Sequence, residues 1–290
     1  MSAIAYVTDS KMLELHRLNN HETMNFWRLS NNVNFSDFGK GDLVFFLSKD
    51  KEHKKRSEKG IVGFGRVTDI SVASVKTMWE RHGIYNGYNS LNEFKEAILR
   101  VSKDRKLPSK ISSFLLEDVT FFQPVYLSEC GMKISSSVES YIYLKPEEVV
   151  ISLLDLAKQS GDLWSDFNNN REKIEREKLL YSLFAAHEKI GDIPGSEKGY
   201  RKATRVLKAY AEEHPEYRFI RGSRSELYCL GKQSLDILIY EDKDIDRRTL
   251  IGQAQLYRYY LGYYYHRDVA VRFLTSERNE DNEYFMNALL

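Results

Sequence analysis

Ser225 to Lys243 reads SELYCLGKQSLDILIYEDK, and this stretch decides how the second half of the chain folds. Glu226 to Leu230 and Ser234 to Tyr240 are two apolar runs, and Gly231-Lys232 between them is the turn of a hairpin. Glu226 opens the first strand, while Glu241-Asp242-Lys243 ends the second. Residues i and i+2 of a strand share a face, so Glu241 and Lys243 point one way and Asp242 the other. Two carboxylates and a lysine converging at a sheet suit phosphodiester hydrolysis. The acids hold Mg2+, a hard ion that prefers oxygen. The metal polarises the phosphate and helps generate hydroxide, and the lysine positions or activates the water. The bland alternative is an exposed ion pair at a strand end, which is worth little.

Working outward, Tyr217 to Ile220 reads as a preceding strand, and a helix from about Arg248 to Tyr265 leads into a strand at Asp268 to Thr275. Upstream, Arg171 to Lys189 reads as a helix with Leu179, Leu180, Leu183 and Phe184 on its apolar side. Ile190 to Gly195 breaks it, and Ser196 caps a second helix, Glu197 to His214, stopped by Pro215. The order helix, three strands, helix, strand is that of an α/β domain. Gln255 and Tyr259 lie one turn apart on the later helix, and Gln253 and Tyr257 repeat the spacing one step earlier. Six tyrosines surround that helix between Tyr257 and Tyr265. Packing on two sides accounts for them, with a dimer contact or a DNA-facing surface as alternatives.

This layout resembles the PD-(D/E)XK nuclease superfamily, over about Ser196 to Thr275. The resemblance implies a mixed central sheet flanked by helices. It makes Glu226 the first acid, with Glu241 and Lys243 as the second motif and Gln255 with Tyr259 as the QxxxY helix of one branch. Glu226 and Glu241 are then the Mg2+ ligands, and Glu226, Glu241, Lys243 and Gln255 the catalytic set. Glu197 corresponds to a helical glutamate sometimes present there. Two features depart from the pattern. The first acid is glutamate rather than the usual aspartate, and Asp236 lies only five residues before Glu241. A regular strand puts Asp236 on the opposite face, whereas a bulge would make it the first ligand instead. The Gln253 and Gln255 registers stay open.

The first half mixes strands and short helices. Asp42 to Leu47 and Gly60 to Val67 read as strands, with the charge-rich stretch Lys49 to Lys59 as a solvated hairpin loop or, alternatively, a phosphate contact. Ser74 to His82 and Leu91 to Ser102 read as helices, the second capped by Ser90. Val119 to Phe122 and Glu139 to Leu144 are strands, and Pro146 to Lys158 is a helix. The polar stretch Gly161 to Asn170 is a linker between domains at 1–160 and 171–290. The ordered series Asn25-Phe26-Trp27-Arg28, Phe38, Gly41-Asp42, Phe45-Phe46-Leu47, Ile61 to Gly65, Trp79-Glu80, Gly83, Asn86-Gly87 and Leu115 to Phe122 resembles the PUA-like, EVE-type domain of modification-dependent restriction enzymes. It implies an α+β PUA-like β-barrel whose aromatic pocket holds a flipped, modified base.

Unstacking a base costs a few kcal/mol, which an aromatic cage with edge hydrogen bonds offsets. Trp27 and Trp79 are candidates for stacking, Asn25 and Asn86 for reading a base edge, and Arg28 for a phosphate. Against this, tryptophans often pack for burial alone and Asn86-Gly87 suits a tight turn. Phe45, Phe46 and Phe64 are core. No histidine cluster of HNH type follows.

The formal net charge is +1 and charged residues make up 29%, so no overall basic field points to nucleic acid; a binding face must be basic locally. Cys130 and Cys229 form no CxxC pair, which excludes a zinc ribbon and fits a reducing compartment. Neither a signal peptide nor a membrane span is read, so the expected location is the cytoplasm. Together these readings expect a modification-dependent endonuclease that uses Mg2+ on modified double-stranded DNA, as a homodimer because two strands need two sites. The rival readings are a non-catalytic sensor with a degenerate nuclease fold and an RNA-binding protein.

Overall fold

The structure, a computed structural model, describes residues 2–30, 35–53, 58–135, 137–161, 167–231, 234–242, 245–264 and 268–275. Two compact units divide the chain, Met1–Lys178 and Leu179–Leu290. The division falls within a helix rather than in the expected linker. Residues 167–170 already belong to that helix, and residues 162–166 lie outside the described residues. Asparagines read as breakers by propensity, yet they cost little near a helix start, where backbone N–H groups lack intrahelical acceptors.

The first unit contains β1 (Ala3–Thr8), α1 (Ser10–Leu18), β2 (Met24–Arg28), β3 (Leu43–His53), β4 (Glu58–Ala73), α2 (Val75–His82), α3 (Leu91–Val101), β5 (Ile111–Val125), β6 (Tyr141–Tyr143) and α4 (Glu147–Gln159). Its six strands form one mixed sheet in the order β2-β5-β4-β3-β1-β6, with β1 parallel to β3. The expected barrel is therefore an open sheet with β2 and β6 as its edges. It is strongly curled: Phe26 on the edge strand β2 lies 5.1 Å from the ring of Tyr6 on β1 and 6.2 Å from those of Phe46 on β3 and Phe114 on β5. Register shifts between β4 and β5 supply the bend, since each bulge increases local twist. A Cβ at Gly63 would come within 2.7 Å of the Thr120 carbonyl, so the close approach of these two strands needs glycine there.

Phe45, Phe46 and Phe64 are fully buried; Phe45 and Phe46, adjacent on β3, point to opposite faces, and both faces are covered. The charge-rich stretch is not simply a loop. β3 and β4 pair out to His53 and Glu58, and both Glu58 and Lys59 are buried. Glu58 accepts from the Ser128 amide at 2.9 Å, and Lys59 Nζ donates to the Val138 carbonyl at 2.9 Å, which compensates their burial. The helices α2 and α3 cover a second, smaller core around Met78, Phe94 and Ile98. Ser74 and Ser90 cap them, accepting from Thr77 and Glu93 amides.

Helix α5 (Phe167–Ile190) crosses the division between the units. The second unit continues with α6 (Glu197–Glu213), β7 (Arg218–Phe219), β8 (Glu226–Leu230), β9 (Ser234–Glu241), α7 (Arg247–Tyr264) and β10 (Asp268–Thr275). The strands form a mixed sheet in the order β10-β9-β8-β7; β7, β8 and β9 are antiparallel, and β10 runs parallel to β9. Alternation divides the side chains between two faces. Leu227, Leu238 and Tyr240 pack with Ala203 and Leu207 of α6. On the other face Tyr228 meets Phe184 of α5 at 5.7 Å, and α7 buries Leu250, Ala254, Tyr257 and Leu261. Helices thus cover both faces of the sheet, which explains why its strands carry so few exposed polar positions.

Candidate functional site

In the second unit, the pairing Glu226 with Ile239 fixes which side chains can meet. It places Glu226 on the face covered by α7, together with Tyr228, Ile237 and Ile239. By the same alternation Glu241 belongs to that face, one pair beyond, at partial exposure. Glu226 is fully buried and closely held. Its Oε1 accepts from Gln253 Nε2 at 2.8 Å, and its Oε2 accepts from the Tyr257 hydroxyl. Burial, and then the Glu226 charge, push the Tyr257 phenol well above its ordinary range, so this hydroxyl stays a donor.

Helix α5 adds His187, whose Nδ1 lies 3.1 Å from Glu226 Oε2 and 2.8 Å from the Tyr257 oxygen. The turn after α5 adds Asp192. That carboxylate accepts from the Arg224 amide at 3.1 and 3.2 Å, from Ser225 Oγ at 3.1 Å and from Ser223 Oγ. His187, Asp192 and Glu226 each offer a donor atom, and these atoms lie within 4.8 Å of one another. One imidazole and two carboxylates at such separations fit a single divalent cation. The nitrogen donor suits Mn2+ or Zn2+ better than the all-oxygen shell typical of Mg2+.

The ambiguous helix register is resolved by this geometry. Gln253 and Tyr257 face Glu226, whereas Gln255 is exposed and Tyr259 is 72% exposed. The Gln255 assignment is corrected accordingly: a two-residue offset rotates a helix position by about 200°, so only one of the registers can face the sheet. Asp236 is on the opposite face, where Arg272 and the Tyr217 hydroxyl bind its carboxylate. It therefore does not take the place of Glu226. Lys243 lies outside the described residues, and its neighbour Asp242 accepts from Lys202 Nζ at 3.1 Å. His187 and Asp192 were not singled out from the sequence. Their only signal was a histidine near a helix end followed by an acid in the breaking turn.

In the first unit, three of the five expected base-binding residues lie on β2, Asn25 and Trp27 on one face and Arg28 on the other, while Trp79 is in α2 and Asn86 in the turn after it. Asn25 and Asn86 are fully buried and bond to each other, Nδ2 to Oδ1, at 2.8 Å. Asn86 also donates to the carbonyls of Gly83 and Met78. Asn25 Nδ2 and both polar atoms of Asn86 hold the α2 turn to β2, while Asn25 Oδ1 is buried without a partner among the described residues; full burial corrects their assignment as base readers. Trp27 and Trp79 both pack against Phe94 in the smaller core.

Arg28 points the other way, into the curled sheet. It is buried, donates from Nε to Ser112 Oγ at 2.9 Å, and lies 4.5 Å and 5.1 Å from the ring centroids of Phe35 and Phe114. Burial lowers its pKa from the ordinary arginine value, opposed by Tyr6 and Tyr141. Tyr6 and Tyr141 stack at 5.7 Å beside it. An arginine framed by aromatic faces is suited to hold an anion or a planar ring. Of these partners, Tyr6, Phe35 and Tyr141 had no sequence signal, because they come from separate strands and a loop.

No family model matches the chain, and no curated protein matches it. Among solved structures, a tyrosine-to-phenylalanine mutant of an ASCH protein from Zymomonas mobilis is similar at 14% identity, over 54% of this chain and 99% of that one, with a TM-score of 0.39. The ASCH protein of the same organism is similar at 15% identity, over 53% of this chain and 94% of that one, with a TM-score of 0.38. The likeness thus reaches ASCH domains over about half of this chain and nearly all of theirs.

Proposed function

We propose that this chain binds a polynucleotide and hydrolyses its phosphodiester bonds with a divalent cation in the second unit. The observation that carries the reading is the buried Glu226, held by Gln253 and Tyr257 with His187 and Asp192 alongside. A cation bound there supplies Lewis-acid polarisation of a phosphate oxygen and an acidified water. Gln253 and Tyr257 orient Glu226, while the Arg224 amide and Ser225 orient Asp192; such support typically changes metal affinity 10–100-fold when removed. Glu241, partly exposed on the same face, acts at the water side of the site.

In the first unit, Arg28 with Tyr6, Phe35 and Tyr141 takes over the base-reading role first assigned to Asn25, Trp27, Trp79 and Asn86. Modified duplex DNA is the substrate we favour, cut by a cytoplasmic homodimer. Among the described residues, no helix is long and apolar enough to cross a membrane.

The test is cleavage of modified and unmodified duplexes, and of RNA, with Mg2+ or Mn2+. Glu226→Gln and His187→Ala should lower cleavage by at least about 100-fold and weaken Mn2+ binding, since each removes a donor or its orientation. Wild-type cutting by both variants would sink the assignment. A second reading draws on the closure of Glu226, whose two oxygens already have partners. It is a binding protein without hydrolysis, and it is the one supported if no metal gives cleavage while DNA still binds.

A further inference from the structure

The near-neutral net charge leaves open where a polyanion would bind, and α6 carries a local answer. A surface groove of about 600 Å³ runs along this helix, and Tyr200, Arg201, Arg205, Lys208 and Arg224 are among the residues lining it. Arg201, Arg205 and Lys208 follow one another at spacings of four and three, which places them on one helix face about 5–6 Å apart. All three are exposed, and among the described residues none makes an ion pair. The fourth cation, Arg224, stacks over the Tyr200 ring at 3.7 Å and bonds Glu197 at 2.9 Å. Its own amide reaches Asp192, and two residues on stands Glu226. The groove therefore ends at the loop that supports the candidate metal cluster.

We infer that this groove binds the phosphodiester backbone of a polynucleotide strand and leads it to His187, Asp192 and Glu226. Evenly spaced cations along a helix match successive phosphates better than they match a single small anion. Arg224, held over the Tyr200 ring at 3.7 Å, carries the cationic track on past the helix. Glu197 and Glu212 also line the groove, so it holds four cations to two acids, a field that attracts a chain of phosphates without the avidity of an all-basic patch. The inference deepens the proposed function by naming its substrate track, and it rests on that reading only for the direction of the path.

The experiment measures binding of 20-mer DNA and RNA, single- and double-stranded, to the full chain in EDTA across a salt series. Replacing Arg201, Arg205 and Lys208 together by serine should weaken binding at least tenfold and lower the slope of log affinity against log salt by about two to three. The three positions are exposed, so an unchanged melting temperature checks the fold. Mass spectrometry should also show Lys208 shielded from an amine-acylating reagent when the 20-mer is bound. Unchanged affinity and slope in the triple variant, with Lys208 labelled equally in both states, would overturn the inference. Equal loss for DNA and RNA assigns the groove to the shared backbone, and loss for one alone assigns it to that nucleic acid. Glu226→Gln, assayed alongside, should bind with the wild-type slope. Normal cleavage by that variant counts against the metal site while leaving the groove in place.

Discussion

The two units each bury a polar cluster at a strand, and the clusters are built for different ends. Asn25 and Asn86 are amides joined by one hydrogen bond, and Asn86 also donates to two backbone carbonyls. Such a pair has no charge to move, so it locks a turn onto an edge strand. Glu226, His187 and Asp192 are ionisable, crowded within 4.8 Å, and flanked by donors that keep the acids in place. Burying ionisable groups this close is costly unless they are compensated, and here Gln253, Tyr257, the Arg224 amide and Ser225 donate to the two carboxylates. The first cluster is read as structural, and the second is the one on which the proposed function rests.

The sharpest way to break this contrast is Glu226→Ala. It removes the carboxylate bonded by both Gln253 and Tyr257 inside the core, and should cost roughly 3–5 kcal/mol of stability besides abolishing cleavage. Urea unfolding with and without Mn2+ checks it, because only a metal site predicts that the wild type gains stability from the ion and the variant does not.

Next comes acid. His16, buried in α1 beside His21, has its pKa lowered from 6.5 to about 3 by burial first and by His21 second. The unfolded chain takes up a proton below pH 6.5 that the folded unit refuses. Stability is therefore full above that pH and falls as pH drops towards 3, by a loss on the order of 4 kcal/mol. A His16→Gln variant should flatten this limb of the unfolding-against-pH curve; an unaltered limb would assign acid sensitivity to other groups.

Asn25→Ala should then cost about 1–3 kcal/mol through the partner it deserts, with no change in nucleic-acid binding. A binding loss at retained stability would restore Asn25 as a reader. Smallest is the register test. Gln253→Ala should destabilise by about 1–3 kcal/mol, while Gln255→Ala should stay within roughly 0.5 kcal/mol in thermal unfolding. The reverse ranking would return the helix to the Gln255 and Tyr259 register.

Much of the second unit was legible because its signals are local. Apolar alternation marked Glu226–Leu230 and Asp268–Thr275 at the observed ends, and Ser196 capped α6 where a serine before a helix should. In the first unit, β1, α1 and the length of β5 were not legible. They depend on pairing with strands far along the chain, and Ala3–Thr8 forms a strand because β3 and β6 flank it. Of the polar stretch at 161–170, residues 167–170 open the helix Phe167–Ile190, where local polarity alone had suggested a linker.

The sequence by itself determined the alternation that buries Glu226 and the four-residue spacing that offered Gln253 with Tyr257 as one of two registers. Tertiary structure alone decided which register faces the acid, that Asp236 belongs to Arg272, and that His187 and Asp192 join Glu226. Periodicity specifies which residues share a face of one element. Which faces meet is set by pairing register and helix rotation, and these are fixed only when separate elements pack together.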